Sequence, residues 1–123
     1  MTTILIVDDE YLIADILGYA LEDEGYMVAK ASNGRKGLEV LDRERPELVI
    51  TDFMMPVMDG LEFARAIRAR PQSSSLPIIL MSGAQASIGR AEPSLFSAVF
   101  DKPFQLDAVL ATVRTLVGPG DRH

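Results

Sequence analysis

Three short segments of this chain are apolar at nearly every position, and they restrict its fold more than any other feature. They are Thr3–Val7, Leu48–Thr51 and Pro77–Met81. A strand with one face in water alternates apolar and polar residues, whereas an uninterrupted apolar run favours a strand covered on both faces. Such strands are typical of a parallel sheet between two layers of helices. We therefore expect a parallel sheet at the centre of the molecule.

Helical patterns separate the apolar segments, so that strand and helix alternate five times along the chain. Two weaker strands, Tyr26–Lys30 and Ala98–Phe100, complete the set. This alternation predicts an α/β fold with helices on both faces of the sheet. Right-handed crossovers favour the strand order 2-1-3-4-5, which is a flavodoxin-like (βα)5 doubly wound parallel sheet. The predicted helices include Leu12–Leu21, the segment through Leu38 and Leu41 to about Arg45, Asp59–Ile67 and Leu106–Val117.

Local signals refine the helices. The first helix should bury one face, which consists of Leu12, Ile13, Ile16, Leu17, Ala20 and Leu21. Asp59, with Glu62 three residues later, predicts a capping box at the start of the third helix. The stretch from Ala84 to Phe96 contains Gly89 and Pro93, which oppose a regular helix, so only a short helix is expected there.

Composition and charge exclude several classes of function. The net charge of −6 disfavours binding to the phosphate backbone of a nucleic acid. Cysteine is absent, which excludes disulfides and thiolate metal sites, and the only histidine, His123, leaves a Ser-His-Asp mechanism without a base. No apolar run approaches the roughly 18 residues of a membrane span, and the amino terminus lacks the basic start of a signal peptide. We expect a soluble cytoplasmic domain.

Three carboxylates follow two of the central strands. Asp8 and Asp9 come directly after the first strand, and Asp52 comes directly after the third. These strands flank the predicted switch point of the sheet, where open α/β folds place their reactive groups. Each residue alone has a simpler explanation, since Asp8 and Asp9 could cap a helix and Asp52 could be a solvated strand end. Their convergence favours a functional site, and a ligand set made only of oxygen favours Mg²⁺.

Two further candidates follow the fourth and fifth strands. Lys102 lies between a buried strand and the apolar pair Pro103-Phe104. It could be a surface lysine whose stem covers apolar side chains, or a point charge aimed at an anion in the cleft. Ser82 could cap the following helix, or its hydroxyl could donate a hydrogen bond to a phosphoryl oxygen. The residues alone leave both alternatives open.

Five motifs, in this order and spacing, make the chain resemble the receiver domain of two-component response regulators. They are Asp8-Asp9, Asp52 with Met54-Met55-Pro56, Asp59-Gly60, Met81-Ser82-Gly83 and Lys102-Pro103-Phe104. The likeness extends from Ile4 to about Val117. It implies a receiver domain over residues 1–118, followed by a tail or the start of a linker over residues 119–123.

The resemblance implies a signalling domain rather than an enzyme. Asp52 would be the phosphoacceptor and would take its phosphoryl group from a histidine kinase or a histidine phosphotransfer protein. Asp9, supported by Asp8, would hold Mg²⁺ together with Asp52 and the backbone carbonyl of Met54. Lys102 and Ser82 would each bind a phosphoryl oxygen.

Phosphorylation would then change binding to an unidentified downstream protein, with no direct nucleic-acid or membrane partner, and a homodimer is compatible with the sequence. The resemblance also implies that the peptide bond between Lys102 and Pro103 is cis. The chain departs from the family in two respects: the segment from Ser82 to Lys102 is short and carries Gly89 and Pro93, and the aromatic residue that the family usually carries three positions before the lysine is missing. Val99 stands there, and Phe100 should face the other side of its strand.

Two alternatives remain beside the receiver hypothesis. The unusual Val99 and the irregular segment that precedes it are compatible with a receiver fold that binds partners independently of phosphorylation. A Mg²⁺-dependent phosphohydrolase with an aspartyl nucleophile is less well supported. Such enzymes usually carry a second aspartate two residues after the first, and Met54 occupies that position.

Overall fold

The computed structural model of the chain describes residues 2–83 and 86–120. Within these ranges strands and helices alternate as the sequence predicted. The strands are β1 (Thr3–Val7), β2 (Met27–Ala31), β3 (Leu48–Asp52), β4 (Ile78–Ser82) and β5 (Ala98–Asp101). The helices are α1 (Tyr11–Asp23), α2 (Gly34–Glu44), α3 (Gly60–Ala69), α4 (Ala86–Arg90) and α5 (Leu106–Val117), with a single 3-10 turn at Pro71–Ser73.

All described strands pair in parallel, in the order β2-β1-β3-β4-β5, which confirms the predicted flavodoxin-like topology. Every residue of β3 and β4 is buried, whereas the edge strands β2 and β5 are partly exposed. Because the strands run in one direction, the polar residues at their carboxyl ends meet at one edge of the sheet.

Two hydrophobic cores lie on opposite faces of the sheet. Alternate residues of β1 serve both, since Leu5 and Val7 belong to the core beneath α2 and α3, and Ile4 and Ile6 to the core beneath α1 and α5. Each fully buried aliphatic side chain contributes roughly 1.5–3 kcal/mol. This division explains why the central strands are apolar at successive positions.

The predicted buried face of α1 is partly wrong. Leu17 and Leu21 are buried as predicted, but Leu12 and Ile16 are 67% and 56% exposed. The helix instead packs on the sheet through a stripe that includes the small residues Ala14 and Gly18. A side chain at Gly18 would begin 2.9 Å from the Lys30 Cε atom of β2. These small residues let the helix approach the strand closely, and hydrophobic periodicity gives them little weight.

The start of α3 is fixed close to the end of β3. The predicted capping box is confirmed, because Asp59 Oδ1 accepts the Glu62 N–H at 2.8 Å and Glu62 Oε1 accepts the Asp59 N–H at 3.1 Å. Gly60 donates its N–H to the Phe53 carbonyl at 2.8 Å. A Cβ atom on Gly60 would lie only 2.4 Å from the Asp52 carbonyl oxygen. The glycine therefore allows the helix to begin directly beside Asp52.

The segment after β4 forms the expected short helix. Its described part, α4, has five residues and is seated on the sheet through Gly89, where a Cβ atom would lie 2.3 Å from Leu80 Cδ2. Residues 84–85, which belong to the predicted irregular stretch, lie outside the described residues.

The carboxyl-terminal end of the described chain is tied to the amino-terminal edge of the sheet. Tyr26 Oη donates a hydrogen bond to the Gly118 carbonyl at 2.6 Å. Of the predicted tail, residues 121–123 lie outside the described residues.

Among the helices of residues 2–83 and 86–120, none is both long and apolar enough to cross a membrane.

Candidate functional site

Four carboxylates converge at the carboxyl edge of the sheet. Asp52 ends β3 and Asp8 follows β1, and the pairing of Val7 with Thr51 brings these two strand ends side by side. Both carboxylates are buried, with exposed fractions of 4% for Asp8 and 6% for Asp52. Asp9 and Glu10 are exposed, and each of the four residues offers an oxygen within 4.8 Å of the others. The cluster therefore has an inner and an outer pair of acids.

Backbone hydrogen bonds hold the inner pair in place. Asp8 donates its N–H to the Ala31 carbonyl at 3.1 Å, and its Oδ1 accepts the Glu10 N–H at 2.8 Å. Beyond Asp52, the Phe53 N–H donates to the Met81 carbonyl at 3.1 Å. Asp52 and Asp8 are thus anchored to neighbouring strands, and their separation does not depend on a mobile loop.

Lys102 supplies the positive charge of the site. Its Nζ lies 2.9 Å from Asp52 Oδ1, 3.7 Å from Asp8 Oδ2 and 3.7 Å from Glu10 Oε1. Its backbone N–H donates to the Ser82 carbonyl at 2.8 Å, which ties the residue after β5 to the end of β4. The peptide bond between Lys102 and Pro103 is cis, as predicted. Lys102 is therefore aimed into the acidic cluster.

The ionisation of the site reflects burial and charge. Burial raises the pKa of Asp8 from 3.8 to about 6, with the Asp52 charge adding to the effect. Burial also raises the pKa of Asp52, although the Lys102 ammonium opposes this. Burial lowers the pKa of Lys102, but the hydrogen bond to Asp52 and the neighbouring carboxylates outweigh it, so the pKa lies above its ordinary value. Lys102 thus remains charged at neutral pH.

Ser82 is a buried hydroxyl without a hydrogen-bond partner among the described residues. It ends β4, has an exposed fraction of 0%, and pairs with Asp101 in the sheet. It does not lie directly before α4, which begins at Ala86, so the sequence alternative of a helix cap is not what the structure shows. An unsatisfied buried hydroxyl costs roughly 1–3 kcal/mol. Such a cost is explained if the hydroxyl serves a ligand.

The donor set suits a hard divalent cation. Four carboxyl groups lie beside one ammonium at this edge of the sheet, so acidic groups outnumber the basic group there. All the side-chain donors are oxygens, and Mg²⁺ takes few protein carboxylates while it keeps several waters. Met54 lies two residues beyond Asp52, and its side chain is 59% exposed. The residues present fit a magnesium site.

The sequence profile of the response regulator receiver domain matches residues 4–114. The chain belongs to the response regulator receiver family. Receivers of this kind act in two-component signalling, and the predicted family and fold are thereby confirmed.

Relatives include both short and long proteins. Sporulation initiation phosphotransferase F of Bacillus subtilis is 32% identical to this receiver, over 90% of each chain. Response regulator MprA of Mycolicibacterium vanbaalenii is 36% identical over 93% of this chain, which spans only 49% of that protein. The solved structure of chemotaxis response regulator CheY4 of Vibrio cholerae has a TM-score of 0.85 and 29% identity. It covers 95% of this chain and 99% of its own.

The receiver carries one acid that the sequence reasoning did not assign to the site. The carboxylate of Glu10 joins the cluster and faces Lys102. The signal available was its position directly after Asp9. An exposed acid beside a helix start is so common that this position alone does not indicate a role.

The strand that precedes Lys102 has the predicted facing. Val99 contacts the core that contains Leu80, whereas Phe100 contacts the opposite core. Val99 thus occupies, on the side of the sheet that faces α4, the position that usually carries an aromatic residue in the family. Gly89 of α4 lies above it, with a Cβ position 3.4 Å from Val99 Cγ2. A small residue on each side lets α4 lie close to the sheet.

Proposed function

We propose that this receiver accepts a phosphoryl group on Asp52 from a histidine kinase or a histidine phosphotransfer protein. The observation that carries the proposal is the position of the Asp52 carboxylate. It is buried, it lies 2.9 Å from the Lys102 ammonium, and it shares a cluster with three other acids. Phosphoryl transfer needs alignment and charge neutralisation more than covalent chemistry from other groups, and this arrangement supplies both.

In the proposed step an Asp52 carboxylate oxygen forms a bond to phosphorus. The phosphorus–nitrogen bond of the donor phosphohistidine breaks, its electron pair returns to the ring, and the ring takes up a proton and leaves as neutral imidazole. Lys102 would hold one phosphoryl oxygen, and the unpartnered Ser82 hydroxyl would donate to another. Both groups offset charge that the buried site disfavours.

Asp8, Asp9, Asp52 and the Met54 backbone carbonyl would hold the metal. When bound, Mg²⁺ would neutralise the carboxylates and the phosphoryl oxygens together. The two inner acids are already preorganised for this purpose, because Asp8 is fixed by the Glu10 N–H and Asp52 ends a central strand. The metal requirement is thus a consequence of the acidic cluster.

A protein donor must reach Asp52 through the open side of the cluster. Exposed apolar side chains lie on the segments that follow β1 and β3, namely Tyr11, Leu12, Met54 and Val57, with exposed fractions of 59–73%. These segments lead directly away from the acidic cluster, so their side chains lie beside the route to Asp52. We infer that these segments contact the donor. The downstream partner, a homodimer, the domain boundary at residue 118 and a cytoplasmic location stay predictions from the sequence.

The proposal is tested by incubating the protein with acetyl phosphate and Mg²⁺ and measuring its intact mass. We expect one added phosphoryl group on the wild type and on the control Asp23→Asn, which removes an exposed carboxylate at the end of α1. Asp52→Asn should gain none. An unmodified wild type, or an undiminished adduct on Asp52→Asn, would contradict the proposal.

A second candidate is a receiver fold that binds its partner independently of phosphorylation. The observation in its favour is Val99, which replaces the aromatic residue usual in the family. NMR spectra of the backbone amides, recorded with and without beryllofluoride and Mg²⁺, distinguish this candidate from phosphorylation-dependent switching. Changes in β4, α4 and β5 favour phosphorylation-dependent switching, whereas unchanged spectra of these elements in a protein that does accept phosphoryl favour the second candidate.

A further inference from the structure

Glu10 is a member of the carboxylate cluster to which the proposed phosphoryl transfer assigns no role. Its backbone is fixed, because its N–H donates to Asp8 Oδ1 at 2.8 Å and its carbonyl accepts the N–H groups of Ile13 and Ala14 at 3.0 and 3.2 Å. Its side chain is 63% exposed, in contrast to the buried Asp8. The carboxylate therefore extends from a rigid base to the mouth of the site.

The Glu10 charge is weakly compensated. Lys102 Nζ lies 3.7 Å from Glu10 Oε1 but 2.9 Å from Asp52 Oδ1, so the ammonium belongs mainly to Asp52. In the proposed reaction Lys102 turns to a phosphoryl oxygen, and Asp9 takes part in holding the metal. Glu10 is then an exposed acid at the site whose charge nothing in the proposed chemistry neutralises.

We propose that Glu10 determines donor specificity, because its carboxylate disfavours small anionic phosphodonors relative to phosphorylated proteins. This inference rests on the proposed function, since it presupposes phosphorylation of Asp52. A small donor gains little binding energy to offset the repulsion. A protein donor contacts the apolar side chains of Tyr11 and Leu12, which follow Glu10 directly and are 73% and 67% exposed. Those contacts offset the same repulsion.

The expected size of the effect follows from Coulomb's law. Repulsion between a carboxylate and a donor dianion several ångströms away at a protein surface slows the reaction roughly five-fold, and roughly two-fold for a monoanion. Salt screens charges that are exposed to solvent, so the effect should decrease as ionic strength rises. These dependences on donor charge and on salt distinguish electrostatic exclusion from a change in the position of Lys102.

The test compares the wild type with Glu10→Gln for two small donors at neutral pH. Acetyl phosphate is mainly a dianion and phosphoramidate mainly a monoanion. An Asp52 carboxylate oxygen bonds to phosphorus in both reactions. Acetate leaves with the electron pair of the broken P–O bond, and ammonia leaves with the pair of the broken P–N bond and all the protons of the donor. The second-order rate constant is measured by intact mass at saturating Mg²⁺, after calorimetry has given the Mg²⁺ affinity of each variant.

We expect Glu10→Gln to react roughly five-fold faster with acetyl phosphate and roughly two-fold faster with phosphoramidate, with both gains reduced by added salt. Glu10→Asp keeps the charge and should behave as the wild type. Glu39→Gln, which removes an exposed carboxylate on α2 outside the cluster, should change neither rate. Thermal melts verify that each variant is folded.

Two failures are distinguishable. A wild type that takes up no phosphoryl group from either donor contradicts the proposed function itself. A wild type that is phosphorylated, beside a Glu10→Gln variant whose rates are unchanged, reduced or raised equally for both donors at every salt concentration, overturns only the role of Glu10. An equal gain in Glu39→Gln would also overturn it, because net charge alone would then explain the result.

Discussion

Replacing Asp8 with asparagine should stabilise the metal-free receiver, although it removes a residue of the proposed site. Burial raises the pKa of Asp8 from 3.8 to about 6. At roughly 1.4 kcal/mol for each tenfold change in the acid dissociation constant, the ionised carboxylate lowers the free energy of unfolding by about 3 kcal/mol at neutral pH. Asparagine has nearly the same shape and keeps an oxygen that can accept the Glu10 N–H. The substitution therefore removes the penalty and keeps the hydrogen bond.

The pH dependence has a definite sign. The pKa of Asp8 is higher in the folded state than in the unfolded chain, so the folded state binds this proton more tightly. The penalty is absent below about pH 4, grows as the pH rises, and is complete above about pH 6. The advantage of Asp8→Asn should therefore be about 3 kcal/mol at pH 7.5, roughly 10 °C in melting temperature, and should be much smaller at pH 4.5.

Urea unfolding followed by circular dichroism measures this difference at both pH values in the absence of divalent cations. Asp23→Asn, which removes an exposed carboxylate far along α1, is the matched control and should stay within about 0.5 kcal/mol of the wild type. The reasoning fails if Asp8→Asn is less stable than the wild type at pH 7.5, or if its advantage is equally large at pH 4.5.

Three other substitutions test separate features. Lys102→Ala should abolish the spectral response to beryllofluoride while Mg²⁺ affinity, measured by calorimetry, changes little, because the ammonium faces Asp52 at 2.9 Å and binds no cation; a sharp fall in Mg²⁺ affinity would contradict this role. Gly89→Ala should displace α4 from Leu80 at a cost of roughly 1–3 kcal/mol and speed its hydrogen exchange. Gly83→Ala has open space around it and should leave the hydrogen exchange of α4 unchanged. Leu80→Ala should restore slow exchange of α4 in the Gly89→Ala background. Val57→Gly should raise the free energy of unfolding by about 1 kcal/mol in urea titrations, since valine at a φ of 72° is strained; a loss of stability would show that the strain is compensated elsewhere.

The sequence predicted the sheet well because burial on both faces leaves an unmistakable apolar pattern in β1, β3 and β4. It predicted the buried face of α1 poorly, because Ala14 and Gly18 matter there for their small size rather than their hydrophobicity. Periodicity reports which residues avoid water, and it does not report how closely a helix must approach a strand.

The convergence of Asp8 and Asp52 was predictable from topology, since both follow strands that are neighbours in the sheet. The contact of Lys102 with Asp52 and the buried, unpartnered hydroxyl of Ser82 are tertiary facts, and the residues alone left them beside simpler alternatives. The sequence did not predict that Glu10 belongs to the site, because only the distance between its carboxylate and Lys102 Nζ shows this.

The reactive side chains emerge from the ends of separate strands, while both interior cores are built mostly from the strands and the helices, with a few loop residues such as Phe53 and Tyr26 added. The residues that stabilise the fold and the residues that could react are therefore largely different ones. An engineer could vary the exposed loop residues Met54 and Val57 and retune chemistry at Asp52, provided that the buried Phe53 and the helix cap Asp59 are kept. Gly60 would have to be kept as well, because any larger residue would collide with the Asp52 carbonyl oxygen.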